Sequence, residues 1–441
     1  MKGYFFRILL LIMTQTSFCQ QGFLLPVDKN KITIPFKLIN NLIFIPINVN
    51  GITLNFLLDT GVEETVLFGI EETETLKFKN PEKIQLKGFG TNEYVDGLKS
   101  DGNVLICGNF KDDNHEIYII LDQNFNFSAQ IGIPVNGIIG YKFFQNHLVE
   151  TNYGNSKLII YKDNAKIRKK LNSKFSSSNL SIERNKPYIN VNVEIDNLKL
   201  KTKMLIDSGS ADAVWLFENQ INQVKIPIPN FDDYLGRGFT GELYGKRARI
   251  TKLQLDKFEF SRPLVAFPDS LAIENSRLVL NREGSIGGEI LKRLTVVYDY
   301  KNSKIYLRKN QNFNAPFNFN MSGIEIEHDG LQWISEKREN SHTSKFKISL
   351  NETSEVETDI RYKFSLKPVF KISNIRKNSP AELVGLKKED LVLEINKQQV
   401  YNYSLQEINE LLKSDEGKNI SITISRDNKI LDFNFKLKSI L

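Results

Sequence analysis

The chain contains one short motif twice: an aspartate, a hydroxyl residue and a glycine, each time at the end of an apolar run. The copies are Asp59-Thr60-Gly61, after Ile52–Leu58, and Asp207-Ser208-Gly209, after Met204–Ile206. At average residue usage, a single copy arises by chance roughly one time in several in a chain of this length. Two copies in matching contexts limit the fold strongly, because each predicts a buried strand that ends in a tight acidic turn.

The sequence around the two motifs repeats as well. Alternating apolar residues precede each motif and lead into a hairpin-type turn, at Asn50-Gly51 and at Asp196-Asn197. Downstream, Asn136-Gly137-Ile138-Ile139-Gly140 has its counterpart in Glu283-Gly284-Ser285-Ile286-Gly287. The aspartates lie 148 residues apart and the final glycines 147 apart. This nearly constant offset predicts a duplicated domain with two lobes.

Paired carboxylates suggest a specific chemistry. Two aspartates brought together share one proton, so that one acts as an acid and the other as a base able to activate water. A single motif has a simpler explanation, in which the carboxylate accepts backbone N–H bonds at the end of a strand. The matched pair favours the catalytic interpretation. A duplicated binding protein without activity stays open as an alternative.

On these motifs the chain resembles bacterial pepsin-like and retropepsin-like aspartyl proteases over roughly residues 30–310. The resemblance implies a mainly β, two-lobed acid-protease barrel fold, with Asp59 and Asp207 as the catalytic residues and no metal or cofactor. Ile138-Ile139-Gly140 and Ser285-Ile286-Gly287 match the segments that thread behind the two loops in that family. Val62 stands where the family often has Ala or Ser.

The resemblance also implies roles for the neighbours of the aspartates. The catalytic-loop support residues are Thr60, Gly61, Ser208 and Gly209. The hydroxyl groups of Thr60 and Ser208 are expected to form hydrogen bonds across the lobes. Glycine beside each pair allows backbone conformations that are closed to other residues, and it lets the opposite loop approach closely.

Each lobe contains a glycine-rich hairpin sequence at an equivalent place, Lys87–Tyr94 and Gly236–Tyr244. Either is a candidate flap over a substrate, with Tyr94 and Tyr244 as its aromatic residues. A plain surface hairpin explains the glycines equally well. The second hairpin matches G-x-G-x-x-G, but a strand-like pattern follows it instead of a crossover helix, so dinucleotide binding is not predicted.

Beyond an Asn-rich break at Asn310–Asn320 the pattern changes. It predicts, in order, the elements Phe370–Ile375 (strand), a short helix from Ser379, Leu391–Ile395 (strand), Ser404–Leu412 (amphipathic helix) and Ile420–Ser425 (strand). This order, with Asn378-Ser379-Pro380-Ala381, Gly385-Leu386 and Asp390, resembles a bacterial PDZ domain. The resemblance implies a small α+β domain that binds extended peptides. Alternatively, the apolar face of the amphipathic helix serves only the core.

The amino-terminal sequence predicts export. Lys2 and Arg7 precede the apolar stretch Ile8–Met13, which is too short to span a bilayer, and small residues follow at Ser17 and Cys19. We expect cleavage after Cys19 and a periplasmic, cell-envelope or secreted protein. Membrane attachment is expected only in the alternative that Cys19 is lipidated. Without Cys19, the chain has one cysteine and forms no intrachain disulfide.

Composition excludes several other classes. The formal net charge of +7 is interspersed with acidic residues, so nucleic-acid binding is not predicted. The sequence contains no H-E-x-x-H zinc motif, no G-x-S-x-G nucleophile elbow and no phosphate-binding loop. The 41% of hydrophobic residues suffice for sizeable cores.

The predicted units are a signal peptide (1–19), an N-terminal lobe (20–171), a C-terminal lobe (180–310) and a PDZ domain (321–441), with a polar linker at Asn172–Asn179. The predicted function is that of an aspartic endopeptidase acting on peptide or protein substrates. The alternative is a catalytically inactive peptide-binding or scaffold protein of the cell envelope.

Overall fold

The computed structural model describes residues 22–69, 76–87, 94–121, 127–218, 225–238, 241–270, 279–339 and 360–441. The predicted signal segment, with Cys19, lies outside these ranges, so export stays a prediction. Within the described ranges, no helix is long and apolar enough to cross a membrane.

The first lobe consists mainly of strands. They are β1 (Lys31–Pro35), β2 (Lys37–Ile39), β3 (Leu42–Val49), β4 (Ile52–Leu58), β5 (Val66–Leu67), β6 (Glu82–Lys87), β7 (Tyr94–Cys107), β8 (Phe110–Ile120), β9 (Gly137–Ile139), β10 (Leu148–Asn152) and β11 (Lys157–Tyr161). Two short helices, α1 (Phe127–Ile131) and α2 (Tyr141–Phe144), lie on either side of β9 in the chain.

Helix α3 (Ala165–Lys174) and strand β12 (Ser176–Asn179) connect the two lobes. Asn164 caps the helix, because its side chain accepts a hydrogen bond from the Ile167 N–H. The predicted linker Asn172–Asn179 thus contains a helix end and an edge strand. Its polar sequence suits this edge strand, in which half-buried and exposed residues alternate.

The second lobe repeats the plan of the first. Its strands are β13 (Ser181–Glu183), β14 (Lys186–Ile195), β15 (Leu198–Ile206), β16 (Val214–Leu216), β17 (Asn230–Gly238), β18 (Gly241–Arg249), β19 (Lys252–Leu255), β20 (Phe258–Ser261), β21 (Leu264–Pro268), β22 (Gly284–Ile286), β23 (Leu294–Asp299) and β24 (Lys304–Lys309). Helix α4 (Gly288–Leu291) follows β22, as α2 follows β9.

The duplication is visible in the sheets. In the first lobe β9 runs parallel to β4, with Leu57 opposite Ile138, and in the second β22 runs parallel to β15, with Leu205 opposite Ser285. Each of these strand pairs lies in the middle of a larger sheet, in the orders β2-β3-β4-β9-β5-β8-β7-β6 and β17-β18-β21-β16-β22-β15-β14-β19-β20. The carboxyl ends of β4 and β15 therefore carry the two acidic motifs.

A third sheet joins the lobes, in the order β1-β11-β10-β23-β24-β12. Strand β10 of the first lobe pairs with β23 of the second, with Glu150 opposite Val297. Apolar residues from both lobes form one buried cluster, to which the alternating strands contribute their inward faces. Burial of this surface fixes the lobes relative to each other.

The C-terminal domain has its own core. Its elements are β25 (Ile324–Glu339), β26 (Ile360–Ile375), helix α5 (Pro380–Leu383), β27 (Leu391–Ile395), β28 (Gln398–Gln399), helix α6 (Leu405–Leu412), β29 (Asn419–Arg426) and β30 (Lys429–Lys436). The sheet order is β25-β26-β27-β29-β30, with β28 on β27. The predicted mainly β, two-lobed fold with a small α+β domain is confirmed.

Helix α6 begins after Ser404, where the sequence predicts the start of an amphipathic helix. Ser404 and Glu407 form a capping box at the start of α6, since each side chain bonds to the backbone N–H of the other. The predicted break at Asn310–Asn320 is packed against the second lobe. There the buried Arg293 donates to the carbonyl groups of Ala315 and Pro316.

Candidate active site

The two acidic loops have the same backbone support. The N–H of Asp59 donates to the carbonyl of Ile139, and the N–H of Asp207 donates to the carbonyl of Ile286, both at 2.9 Å. A Cβ atom on Gly140 would lie 2.6 Å from the Asp59 carbonyl oxygen. Such a contact is closer than packed atoms tolerate, so this close approach requires the glycine.

Two hydroxyl groups join the loops across the lobes. The N–H of Thr60 donates to Ser208 Oγ, and the N–H of Ser208 donates to Thr60 Oγ1, each at 3.0 Å. Thr60 Oγ1 donates in turn to the Ile206 carbonyl at 2.6 Å, and Ser208 Oγ donates to the Leu58 carbonyl at 2.8 Å. All four bonds are buried, so the structure brings the two loops into one fixed register.

The two carboxyl groups meet at the centre of this arrangement, where Asp59 Oδ1 and Asp207 Oδ1 lie 3.0 Å and 2.8 Å from the position that a Cβ atom on Gly61 would occupy. Asp59 Oδ1 accepts from the Gly61 N–H at 2.6 Å, and Asp207 Oδ1 accepts from the Gly209 N–H at 3.2 Å. A Cβ atom on Gly61 would lie 2.8 Å from Asp207 Oδ1, and one on Gly209 would overlap the Asp59 carboxyl group. Each glycine therefore makes room for the aspartate of the opposite lobe.

Burial and mutual repulsion change the ionisation of the pair. Burial, with the charge of Asp207 as the next cause, raises the pKa of Asp59 to about 8. Burial also raises the pKa of Asp207, whereas the positive charges of Arg282 and Lys186 act to lower it. Lys186 acts in the same direction on Asp59, so Arg282 is the cation that distinguishes the two carboxyl groups, and its charge favours Asp207 as the site of the negative charge.

The aspartates line a cavity of about 640 Å³ between the lobes. Lys186 and the buried Arg282 line the same cavity on the side of the second lobe. Arg282 is held by a 3.2 Å bond from its Nε to the Gly284 carbonyl and by its position over the Phe217 ring, at 5.1 Å. The cavity is concave, partly apolar and large enough for several residues of an extended peptide.

The structure places the two candidate flaps differently. At the first candidate flap, strands β6 and β7 form a hairpin in which Lys87 pairs with Tyr94. Residues 88–93 and the side chain of Tyr94 lie outside the described residues. The second is the hairpin β17–β18, and its residues Tyr234 to Arg237 line the cavity.

Tyr244, the aromatic residue expected on this flap, is 43% exposed and donates to Glu242 at 2.6 Å. The cavity wall contains Tyr234 instead, which packs against Tyr244 with the ring centres 5.6 Å apart. Gln130 Nε2 of the first lobe donates to the Tyr234 hydroxyl at 3.3 Å. This bond connects the first lobe to the candidate flap hairpin of the second.

Sequence reasoning missed Arg282, Lys186 and Tyr234. A signal for Arg282 was present, since it directly precedes the repeated segment that begins at Glu283. No local pattern distinguishes Lys186 from the other lysines of the chain. Across the described residues, histidine, cysteine, aspartate and glutamate side chains form no cluster of three or more that could hold a metal ion.

Comparison with known proteins gives two findings. The PDZ domain family matches residues 371–426, so the predicted PDZ domain is confirmed. The structure is similar to the crystal structure of an aspartic proteinase from Irpex lacteus, at 11% sequence identity and a TM-score of 0.43, over 65% of this chain and 100% of that one. The comparison with curated proteins gives no match.

Proposed function

We propose that the chain is an aspartic-type endopeptidase. One observation carries the proposal: two duplicated loops, locked together by four buried hydrogen bonds, place the carboxyl groups of Asp59 and Asp207 side by side at one cavity. A structural turn requires neither the pairing of two carboxyl groups nor their access to a cavity. General acid–base hydrolysis requires both.

The surroundings assign a role to each aspartate. Asp207 is the base, because Arg282 stabilises its negative charge. It takes a proton from a water molecule, whose oxygen attacks the peptide carbonyl carbon. Asp59 is the acid, since burial retains its proton. It donates this proton to the carbonyl oxygen, and the tetrahedral intermediate that forms is neutral.

Cleavage then reverses the proton flow. One hydroxyl proton of the intermediate returns to the dyad, the proton gained by Asp207 passes to the leaving nitrogen, and the C–N bond breaks. The products are a carboxylic acid and an amine, and the dyad regains its original single proton. We further propose that the protein acts outside the cytoplasm and that its PDZ domain binds an extended peptide.

The first prediction tests the dyad itself. Asp59→Asn and Asp207→Asn should each reduce turnover of a mixed peptide library by several orders of magnitude, because each removes one of two groups that act as a unit. The measurement is mass spectrometry of the products from acid to neutral pH. Asp427→Asn, in an exposed turn at φ +50°, is the matched control and should retain full activity.

Cleavage that survives either dyad substitution would contradict the proposal. Folded wild-type protein that cleaves nothing at any pH would contradict it as well and would favour the peptide-binding alternative. Circular dichroism of all four proteins separates a loss of catalysis from a loss of fold.

A further inference from the structure

The catalytic cavity extends beyond the two lobes. Its wall includes residues of the C-terminal domain from β25, β26, the loop before β27, α6 and the residue after α6: Glu325, Glu327, Asn374, Lys388, Asn409 and Lys413. We propose that this domain forms one wall of the substrate cleft and binds the part of the substrate that lies to one side of the scissile bond. The inference rests on the proposed peptidase function and adds a second binding region to it.

The domain is fixed to the first lobe at this wall. Asn409 Nδ2, on α6, donates to Asn40 Oδ1 at 3.5 Å. At the start of the same helix, a Cβ atom on Gly132 would lie 2.8 Å from Leu405 Cβ and 3.5 Å from His328 Nε2. The first lobe thus touches both α6 and β25, with no room for a side chain at Gly132.

The domain is also fixed to the second lobe. The buried Arg376 lies 3.7 Å from Asp233 Oδ1, and its guanidinium group covers the Phe231 ring at 4.4 Å. Phe231 packs in turn against the buried Phe319, with the ring centres 5.5 Å apart. Contacts on both lobes hold the domain in a defined position beside the dyad, as a binding wall requires.

The wall offers an extended chain both backbone and side-chain partners. Strand β25 ends the order of the C-terminal sheet, and the cavity reaches it from Glu325 to Glu327. Extended peptides bind along such edge strands through main-chain hydrogen bonds, and neighbouring pockets accept alternate side chains. Asn409 and Lys413, one turn apart on or beside α6, supply polar groups on the facing side.

The loop before β25 indicates which part of a chain binds here. Capture of a terminal carboxylate needs a nest of free backbone N–H groups. Here the N–H groups of Ser322 and Gly323 both donate to Asn320 Oδ1, at 3.1 Å, and the N–H of Ile324 donates to Ser322 Oγ at 3.2 Å. These amides are satisfied within the chain, so we infer that the wall binds the interior of a polypeptide and not its free carboxyl end.

The test uses the full chain with Asp207→Asn, which binds peptides without cleaving them. A cleavable core peptide is lengthened in steps of two residues at one end or at the other, with amidated carboxyl ends, and binding is measured by fluorescence anisotropy. Extension at one end should tighten binding about tenfold, since two net hydrogen bonds supply a factor of this size. An otherwise identical peptide with a free carboxylate should bind no tighter.

Substitutions in the C-terminal domain identify the surface that tightens the binding of the longer peptide. Asn409→Trp fills the cavity side of α6 and should abolish the tenfold gain, whereas Gln406→Trp, on the same helix but outside the cavity wall, should retain it. If Asn409→Trp fails to fold, Lys413→Glu takes its place, with Lys436→Glu on the distant strand β30 as control.

The outcomes separate the two proposals. The proposal that the C-terminal domain forms a wall of the cleft is wrong if extension of the peptide does not tighten binding. It is also wrong if Asn409→Trp or Lys413→Glu leaves the tighter binding unchanged. A free carboxylate that tightens binding overturns the assignment to chain interiors. Because binding is read without turnover, an inactive wild-type protein refutes the peptidase alone, and the wall is then judged by the binding series.

Discussion

The loop around Asp59 and the loop around Asp207 use the same backbone hydrogen bonds, yet their carboxyl groups lie in different electrostatic surroundings. Asp59 is only 8% exposed and accepts a short bond of 2.6 Å from its glycine, whereas Asp207 is half-buried and accepts a longer one of 3.2 Å. The buried cation Arg282 stabilises the charge of Asp207. At the offset of 147 that relates Gly140 to Gly287, its counterpart in the first lobe is the buried Val135.

This difference shows how a duplicated fold obtains two unlike groups. The duplication gives the two loops the same backbone geometry. Hydrolysis needs one protonated and one ionised carboxyl group, and identical surroundings would not decide which is which. A single replacement beside the repeat, valine in one lobe and arginine in the other, biases the choice without moving either loop.

Substitutions that remove the cross-lobe hydroxyl bonds test what the two loops have in common. They should lower activity more than a substitution of Arg282 does. Thr60→Val removes the acceptor of the Ser208 N–H and the donor to the Ile206 carbonyl. We expect kcat to fall about 100-fold, because small displacements of catalytic groups have effects of this size. Ser208→Ala should have a comparable effect, since its bonds mirror those of Thr60.

Thr60→Ser is the control, because it retains the hydroxyl group and should retain most of kcat. Steady-state kinetics give kcat and KM separately. A Thr60→Val enzyme with wild-type kcat would mean that the cross-lobe bonds are not needed to align the dyad.

The sequence predicts the shared part of the site well and the unlike part poorly. The motifs, their offset and the apolar strands before them were readable because a duplication repeats local patterns. The asymmetry depends on Arg282, a single charged residue that becomes a neighbour of Asp207 only in the folded chain. Tyr244 was expected on the flap, but the pleat of β18 and the bulge between Tyr234 and Gly236 present Tyr234 to the cavity instead.

The C-terminal domain gives the same lesson. Its helices and strands follow from periodicity and capping, as at Ser404. Its position against both lobes does not, because it depends on contacts between residues far apart in the chain, such as Arg376 with Asp233 and Leu405 with Gly132.

Arg282→Gln tests the electrostatic difference between the surroundings of Asp59 and Asp207. Without the positive charge, the pKa of Asp207 should rise, because Arg282 acts to lower it. The acidic limb of kcat/KM, which requires Asp207 to be ionised, should then move to higher pH by about one unit. The basic limb, which requires Asp59 to be protonated, should move little.

Arg282→Lys keeps a positive charge near this position and should restore most of the wild-type profile. The measurement is kcat/KM in steps of about one pH unit, from about pH 3 to about pH 9. An acidic limb that stays in place in Arg282→Gln would show that the guanidinium group does not set the ionisation of the dyad. A uniform loss of activity at every pH would give Arg282 a purely structural role.

The smallest expected effect is on thermal stability. Its pH dependence distinguishes the two aspartates without any assay of activity. Because the native pKa of Asp59 lies well above the usual value near 4, the folded chain binds more protons than the unfolded chain between about pH 4 and pH 8. The contribution of Asp59 to stability therefore falls as the pH rises through this window. Asp59→Asn removes the free-energy cost of a buried negative charge at this position and keeps an acceptor for the Gly61 N–H.

We expect Asp59→Asn to raise Tm by about 2–4 °C at pH 7 and to leave it nearly unchanged at pH 4. Asp207→Asn should gain less at pH 7, because it also removes the negative charge that faces the buried Arg282. Differential scanning calorimetry of both variants at both pH values measures the contrast. Equal gains for the two variants at pH 7 would show that the lobes hold their carboxyl groups in equivalent surroundings, and the assignment of Asp59 as acid and Asp207 as base would then be wrong.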